Sequence, residues 1–536
     1  MSGHCPPWFM AAGLCLLVGC PGAARPMAPE QADAGPDDAA RFDAGELPRQ
    51  DPDYLVVAAD ILVEPAREFA AYRSQAGFRT AVYARSELSP ESQPASDLAA
   101  AVRALLQTAR DLAPADETHY LLLVGDAPGL IPALPCTNEL GGCYTDNLYA
   151  DLDADGVADA AVGRVAANTI EEVRAFLSKV QTHEASYETG VWNRRLAMFT
   201  GAGGFGDDLD AMLEQVVLAG LDSLDYAFDI VGAYNNPENP YYFVPFDQKV
   251  LELFNGGSLA TLYIGHGSSS EVEGLSASQI DGLHCAHRLP LALLFACLNG
   301  AFAGRRDSIA EILVERADGP IACFAASDVS HPYGNAVLSF EVERALLNSR
   351  PPTVGAVILA AKRQVLINRD SFRTRLDTSA ALAGMPADEQ LLVQQQHLNL
   401  YNLLGDPATR MQYPRSSVVF EPGVSGTLAH AFIDVGGRTP NLASGTAIVT
   451  LEIERSAIVS ELAPFDPENP DPETVQANWA AAVDKAVAGV EVAVSAGGFA
   501  ARLPVPQGLP VGLQCYVKVY AHDGIADSFG AVAVPR

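Results

Sequence analysis

The chain has 536 residues, 49% of them hydrophobic and 19% charged, a composition that buries a sizeable core and divides into about two to four domains. Its formal net charge of −32 leaves no basic surface for a phosphate backbone and excludes nucleic acid as a partner. The same excess of carboxylates suits an extracytoplasmic protein, or one that gathers divalent cations.

The N-terminal stretch Trp8–Val18 is mostly apolar and too short to span a bilayer. It runs into Leu17-Val18-Gly19-Cys20, which is similar to a bacterial lipobox, although no Lys or Arg precedes it. Residues 1–20 therefore read as a signal peptide, with Cys20 as the acylated first residue of the mature chain. The expected location is the cell envelope, at the outer membrane or cell surface, or the medium, with membrane contact only through the lipid. Residues 21–51 are rich in Ala, Pro, Asp and Gly, cannot bury a core, and read as a tether.

A first α/β unit is expected over residues 52–190. Strand Tyr54–Ala59, helix Leu62–Gln75, strand Thr80–Tyr83, helix Asp97–Leu112 and strand Tyr120–Val124 alternate, as in a parallel sheet covered by helices. Cys136 and Cys143 flank a turn-forming Thr-Asn-Glu-Leu-Gly-Gly that a disulfide could close in an oxidising compartment. Asp151, Asp153 and Asp155 then alternate before Gly156, with Asp159 following, so that several oxygens surround one point, as a hard cation such as Ca²⁺ requires. The distal Glu of an EF-hand loop is missing. A long amphipathic helix, Asn168–Tyr187, has Thr169 and Glu172 near its start.

The second α/β unit spans residues 191–414. It runs through strand Leu196–Thr200, helix Asp207–Ala219, strand Phe228–Val231, helix Phe246–Phe254 and strand Leu259–Ile264. The Gly-rich run Thr200–Gly206 lacks the Lys-Ser/Thr of a phosphate loop and reads as a strand-end turn. Strand Pro290–Ala296, helix Ser308–Val314, strand Pro320–Ala325 and helices near Asn335–Leu347 and Thr353–Ile367 follow. A last helix, Asp388–Leu403, runs into Leu404-Gly405-Asp406-Pro407. From Ser416 the pattern changes to Val/Ile/Thr alternation with Gly and Pro turns, as in Thr446–Ile453, Val490–Val494 and Gln514–Tyr520, which predicts a β-sandwich over residues 415–536 with a loop at Pro464–Asp471.

Two of the apolar strands end in a reactive side chain. Leu259–Ile264 delivers His266 between Gly265 and Gly267, and Pro290–Ala296 delivers Cys297. Chemistry in parallel sheets collects beyond the carboxyl ends of strands, and a His and a Cys placed there form a nucleophile–base pair. The Cys297 thiolate would attack an acyl carbon, His266 would protonate the leaving amine, and the backbone N–H groups of Gly267 and Cys297 would receive the oxyanion. No cofactor is needed for such chemistry. Competing histidines are His331, after strand Pro320–Ala325, and His284 and His287 beside Cys285; Cys323 and Cys515 complete the mature cysteines, and no Cys-x-x-Cys pair for structural zinc is present.

The segments Tyr-Ile-Gly-His266-Gly-Ser and Phe-Ala-Cys297-Leu-Asn-Gly resemble the His-Gly and Ala-Cys strand ends of caspase-like cysteine peptidases. Leu-Leu-Leu-Val-Gly-Asp126, the Asp159-Ala-Ala-Val-Gly-Arg164 block and Leu-Leu-Gly-Asp-Pro407 extend the resemblance to the gingipain-type branch over residues 52–414. The resemblance implies an α/β fold of two caspase-like subdomains with mainly parallel sheets, followed by an all-β immunoglobulin-like sandwich. It also implies endopeptidase activity, often after basic residues, and bound calcium. Matched on Ala-Val-Gly-Arg164, a third catalytic acid would fall on Asp159, where relatives carry Glu; the same residue belongs to the acidic loop. Exported cysteine endopeptidase is thus the first reading. The others are a sortase-like transpeptidase, with an amine capturing the same acyl-enzyme, and a surface binding protein on a peptidase scaffold. The retained dyad weighs against the last.

Overall fold

Runs such as Tyr54–Ala58, Tyr120–Val124 and Leu291–Phe295 carry buried side chains on both faces, so they are stable only where both faces of a sheet are covered. The computed structural model of the protein describes residues 51–114, 116–127, 129–203, 217 and 220–535, and sets these runs inside one large sheet. The chain enters through β1 (Tyr54–Ala58), α1 (Val63–Gln75), β2 (Thr80–Ala84), α2 (Ala95–Leu112) and β3 (Tyr120–Val124). The hairpin β4 (Leu134–Asn138) and β5 (Gly141–Thr145) precedes β6 (Ala161–Val165) and α3 (Ile170–Ala185), which opens with the Thr169/Glu172 capping box. Next come β7 (Arg195–Thr200), β8 (Asp229–Tyr234), α4 (Phe246–Asn255), β9 (Ala260–Ile264), the short hairpin β10 (Glu271–Val272) and β11 (Leu275–Ser276), and β12 (Leu291–Phe295). This part of the chain closes with α5 (Ile309–Glu315), β13 (Ala322–Ala326), α6 (Pro332–Arg344), α7 (Val354–Val365), α8 (Ser371–Leu382), α9 (Ala387–Leu400) and β14 (Tyr401–Leu404).

The sheet order is β2-β1-β3-β6-β14-β13-β12-β9-β7-β8, and every pair of neighbours is parallel except β13–β14. The two α/β halves expected from the sequence are therefore fused edge to edge and run in opposite directions. As a result the carboxyl ends of β9, β12 and β13 share an edge with the start of β14, where Tyr401 lies.

The fusion explains two of the sequence motifs. β14 meets β6 at Leu404 opposite Arg164. A side chain at Gly163 would collide with the Gly405 carbonyl, so these two glycines let the segments touch. Buried Arg164 donates to Asp146 (Nε–Oδ2 2.8 Å) and to the carbonyls of Gly125 (2.6 Å) and Ile131 (2.9 Å). Asp406 accepts from the Tyr54 hydroxyl (2.9 Å) and from Arg73 Nε (2.8 Å), and Arg73 also bonds Glu184.

The C-terminal domain is one eight-stranded sheet of β15 (Ser416–Ser417), β16 (Val419–Ser425), β17 (Phe432–Arg438), β18 (Ser444–Ile453), β19 (Ala486–Ser495), β20 (Gly498–Pro504), β21 (Cys515–His522) and β22 (Asp527–Ala533). It is antiparallel except for β15–β22 and encloses its own core, with Ile433, Val449, Leu503 and Val517 at its centre. Between β18 and β19 it carries a helix that the all-β reading did not include, α10 (Pro472–Val483), started by the Asp471 cap. This helix docks on the first domain: Trp479 Nε1 donates to the Gly232 carbonyl (2.8 Å), and the Lys249 ammonium sits 3.7 Å from the Trp479 ring centre.

Two further differences concern the end of the α/β part of the chain. The last helix stops at Leu400, and Tyr401–Leu404 is strand β14, because the slot between β6 and β13 supplies it with ladder partners on both sides. Helix α8 was not expected. The signal segment with Cys20, the tether apart from Asp51, and the helix read over Asp207–Ala219 apart from Val217 lie outside the described residues. Among the described residues no helix is long and apolar enough to cross a membrane.

Candidate active site

β9 and β12 are adjacent and parallel, with Ile264 opposite Phe295. Two residues beyond each, His266 and Cys297 leave the sheet at the same level, about one strand spacing (~5 Å) apart. The loops that carry them touch. A side chain at Gly267 would lie 2.7 Å from the Asn299 amide and 2.9 Å from Ala296 Cβ, so only glycine allows this approach. Leu298, directly after the cysteine, adopts φ +65°, and its N–H is held by the Asp328 carbonyl at 3.1 Å. A left-handed leucine costs about 1 kcal/mol, a strain typical of residues that aim a functional neighbour.

His266 meets a backbone carbonyl. Its Nε2 lies 2.9 Å from the Gly203 carbonyl. A carbonyl only accepts, so Nε2 carries the proton in this arrangement and Nδ1 keeps the lone pair that a general base needs. The Tyr263 hydroxyl donates to the His266 carbonyl (2.6 Å) and receives the Glu273 N–H (3.3 Å). Glu273 in turn accepts from Ala202 N (2.9 Å) and Asn235 Nδ2 (2.5 Å), tying the ends of β7 and β8 to the histidine loop.

Asp159, expected beside His266, lies away from it. One of its oxygens pairs with Arg110 and the other accepts the Leu152 N–H at 2.9 Å. It precedes β6, which stands four strands from β9 in the sheet order, or about 19 Å away at the usual spacing. Among the described residues, the Gly203 carbonyl is a group that meets the His266 ring. Gly203 falls inside the run read as a strand-end turn, and no side-chain signal could have marked a backbone carbonyl.

Cys297 is half-buried. Its sulfur lies 3.4 Å from the Ser330 N–H and 3.7 Å from the Ser330 hydroxyl. His266 and Cys297 both open onto one cavity of about 160 Å³ that runs back from the sheet edge between β7, β12 and α6. Pro332, Asn335, Ala336, Ser339, Phe340 and Glu343 all face it, and their three- and four-residue spacing is one stripe of α6. Phe295, Phe372 and Leu376 add apolar walls. From Asn335 to Glu343 the helix rises about 12 Å, and a helical side chain leans back toward the N-terminus, so the Glu343 carboxyl ends a channel suited to a long side chain. Glu343 is only 4% exposed, and burial pushes its carboxyl up to about 8. Sequence reading had not singled out Glu343, Ser330 or Asn335.

The competing residues are engaged elsewhere. His331 caps α6, its Nδ1 accepting the Tyr333 N–H (3.1 Å), and burial lowers it to about 4. His284 pairs with Asp318 on the surface (2.9 Å), and Cys285 is buried with its thiol raised to about 12 by that burial. His287 is exposed. Cys136 and Cys143 form a disulfide across the β4–β5 hairpin, where they are register partners.

In the acidic loop, the carboxylates that converge are Asp151, Asp153 and Asp159, with ligand atoms within 4.8 Å of one another. Asp155 is not among them; its Oδ1 accepts the Val157 N–H at 2.8 Å. A separation of 4.8 Å is about twice a Ca²⁺–oxygen distance. Asp151 is 9% exposed and its buried Oδ1 has no hydrogen-bond partner. Burial, followed by its carboxylate neighbours, raises its pKa. An orphaned carboxylate oxygen on a residue that converges with two other carboxylates fits a hard cation.

The model of peptidase family C25 matches residues 47–412. Gingipain R2 of Porphyromonas gingivalis is 24% identical over 268 residues, which cover 48% of this chain and 34% of the relative. Gingipain R1 of the same organism is 24% identical over 268 residues, 25% of its length. The chain thus spans about a third or less of these curated relatives. Among solved structures, the Arg-specific cysteine proteinase gingipain R (RGPB) superposes with a TM-score of 0.51 at 17% identity, covering 90% of this chain and 98% of that one. A structure described only as a protease superposes at 0.54 with 15% identity, covering 90% and 97%. These likenesses establish the fold.

Proposed function

The chain belongs to peptidase family C25, and from that premise we propose that it is an exported cysteine endopeptidase working through Cys297 and His266. The observation that carries the proposal is the pairing of β9 with β12, which brings both side chains to one cavity at neighbouring strand ends. His266 Nδ1 takes the thiol proton, and the Cys297 sulfur attacks the peptide carbonyl carbon. The negative charge collects on the former carbonyl oxygen, toward the Gly267 and Cys297 N–H groups. The C–N bond breaks as His266 returns its proton to the amine. Water, deprotonated by His266, then cleaves the thioester, and the sulfur leaves as the thiolate.

The cavity supports a basic residue before the scissile bond. Aromatic and aliphatic walls suit the methylenes of Lys or Arg, and Glu343 offers a carboxylate to the cationic tip. A Ca²⁺ ion held by Asp151, Asp153 and Asp159 forms part of the proposal; bound there, it would neutralise the loop before β6. Export with a lipid on Cys20 rests on the apolar run and the Leu-Val-Gly-Cys motif, and a disulfide at Cys136–Cys143 is consistent with an oxidising compartment. The test is hydrolysis of a protein substrate by the full chain and its Cys297→Ala and His266→Ala variants. Both variants should lose at least about 10³-fold in kcat/KM, and undiminished turnover in either would overturn the dyad.

A further inference from the structure

Cys297 lies against a third strand end as well as the one that carries His266. Beyond β13 the chain turns at Ser330, a residue 5% exposed. The Ser330 hydroxyl accepts a hydrogen bond from Asn335 Nδ2 at 2.9 Å, and Asn335 Oδ1 accepts the Tyr401 hydroxyl at 2.6 Å. An amide nitrogen only donates, so the Ser330 oxygen is the acceptor in the bond from Asn335. With its oxygen receiving from Asn335, the hydroxyl has one hydrogen to place, and the acceptors within reach are the Cys297 sulfur, 3.7 Å away, and the Tyr401 oxygen. The Ser330 N–H points at the same sulfur from 3.4 Å. Asn335 and Tyr401 are themselves buried, in the first turn of α6 and at the start of β14, so the arrangement is held rigidly.

We propose that Ser330 is a positioning residue for the nucleophile: its hydroxyl, polarised through Asn335 and Tyr401, donates with its own N–H to the Cys297 thiolate and holds it aimed at the cavity. The proposal rests on Cys297 being the nucleophile. Both donors favour the charged form of sulfur, and they oppose the Ser330 carbonyl, 3.8 Å away, which accepts only from the neutral thiol. Histidine alone is then not responsible for keeping the thiolate. Among the described residues, the titratable groups that face this sulfur or its cavity include His266 from the β9 loop, Tyr263 on β9, His331 at the start of α6, Glu343 farther along α6, and Tyr401 on β14.

The test is the rate of carbamidomethylation of Cys297 by iodoacetamide against pH, in the full chain, with the modified peptide read by mass spectrometry. The other described free cysteines, Cys285, Cys323 and Cys515, are buried. Ser330→Ala should move the midpoint of the alkylation profile up by about one pH unit. It should lower kcat/KM about tenfold below that midpoint and little above it. Ser330→Thr, which keeps a hydroxyl, should restore the wild-type midpoint, and Tyr401→Phe should shift it in the same direction as Ser330→Ala by a smaller amount. An unchanged midpoint in Ser330→Ala, or a loss of activity equal at all pH values, would overturn the proposal. Absence of any Cys297 labelling in the wild type would instead overturn the dyad on which it rests.

Discussion

Replacing Glu343 by Gln removes the carboxyl at the end of the cavity while keeping its size. The wild-type carboxyl titrates at about 8 because it is buried, so at pH 7 roughly one molecule in ten carries the charge. A Lys or Arg side chain pairs with the ionised form. The ratio of kcat/KM for a basic over a neutral residue at that position should therefore climb about tenfold per pH unit from pH 6 and level off above about pH 8. Taking the ratio cancels the titration of the dyad, which both substrates share. In Glu343→Gln the ratio should be flat, and at pH 9 lower by about 30- to 1,000-fold, the 2–4 kcal/mol of a buried charge left unpaired. Stability shifts the other way. The folded state holds the Glu343 proton more tightly than the unfolded chain, so stability is full below the unfolded value of 4.5 and is lost as pH rises through about 8. The Gln variant escapes that loss and should be more stable at pH 9 by up to about 5 kcal/mol, at about 1.4 kcal/mol per unit. Matched fluorogenic peptides and urea melts at both pH values measure the two effects. A selectivity ratio indifferent to pH and to the substitution would refute the reasoning.

Two other outcomes follow from the scaffold. Asp406→Ala leaves the fully buried Arg73 with Glu184 as its remaining carboxylate, and should cost about 3 kcal/mol in a denaturant melt; a loss under 1 kcal/mol would mean that the contact between the two half-sheets does not depend on it. Millimolar Ca²⁺ should raise Tm by several degrees, with Asp151→Asn abolishing the rise; an equal rise in the variant would place the ion elsewhere.

The strand runs that build the sheet were legible because parallel strands buried on both faces read as unbroken apolar segments, and Leu259–Ile264 and Pro290–Ala296 led directly to His266 and Cys297. β14 was hidden because Tyr401–Leu404 continues the apolar spacing of α9 without a turn residue between them, and only the gap in the sheet makes it a strand. Asp159 was misplaced for a related reason: motif alignment fixes its position along the chain, while its partner depends on Arg110, 49 residues away in sequence. Glu343 and Ser330 gave no local signal. Their roles come from a helix face and a third strand end that meet Cys297 only after the sheet has formed.

Everything proposed for the site depends on Cys297 being its nucleophile. The most direct test is to incubate the full chain with a peptidyl chloromethyl ketone ending in Lys or Arg, digest it, and locate the adduct by mass spectrometry. Cys297 should be alkylated stoichiometrically in step with loss of peptidase activity, with no adduct in Cys297→Ala. An adduct on a different residue, or full activity after Cys297 is modified, would contradict it.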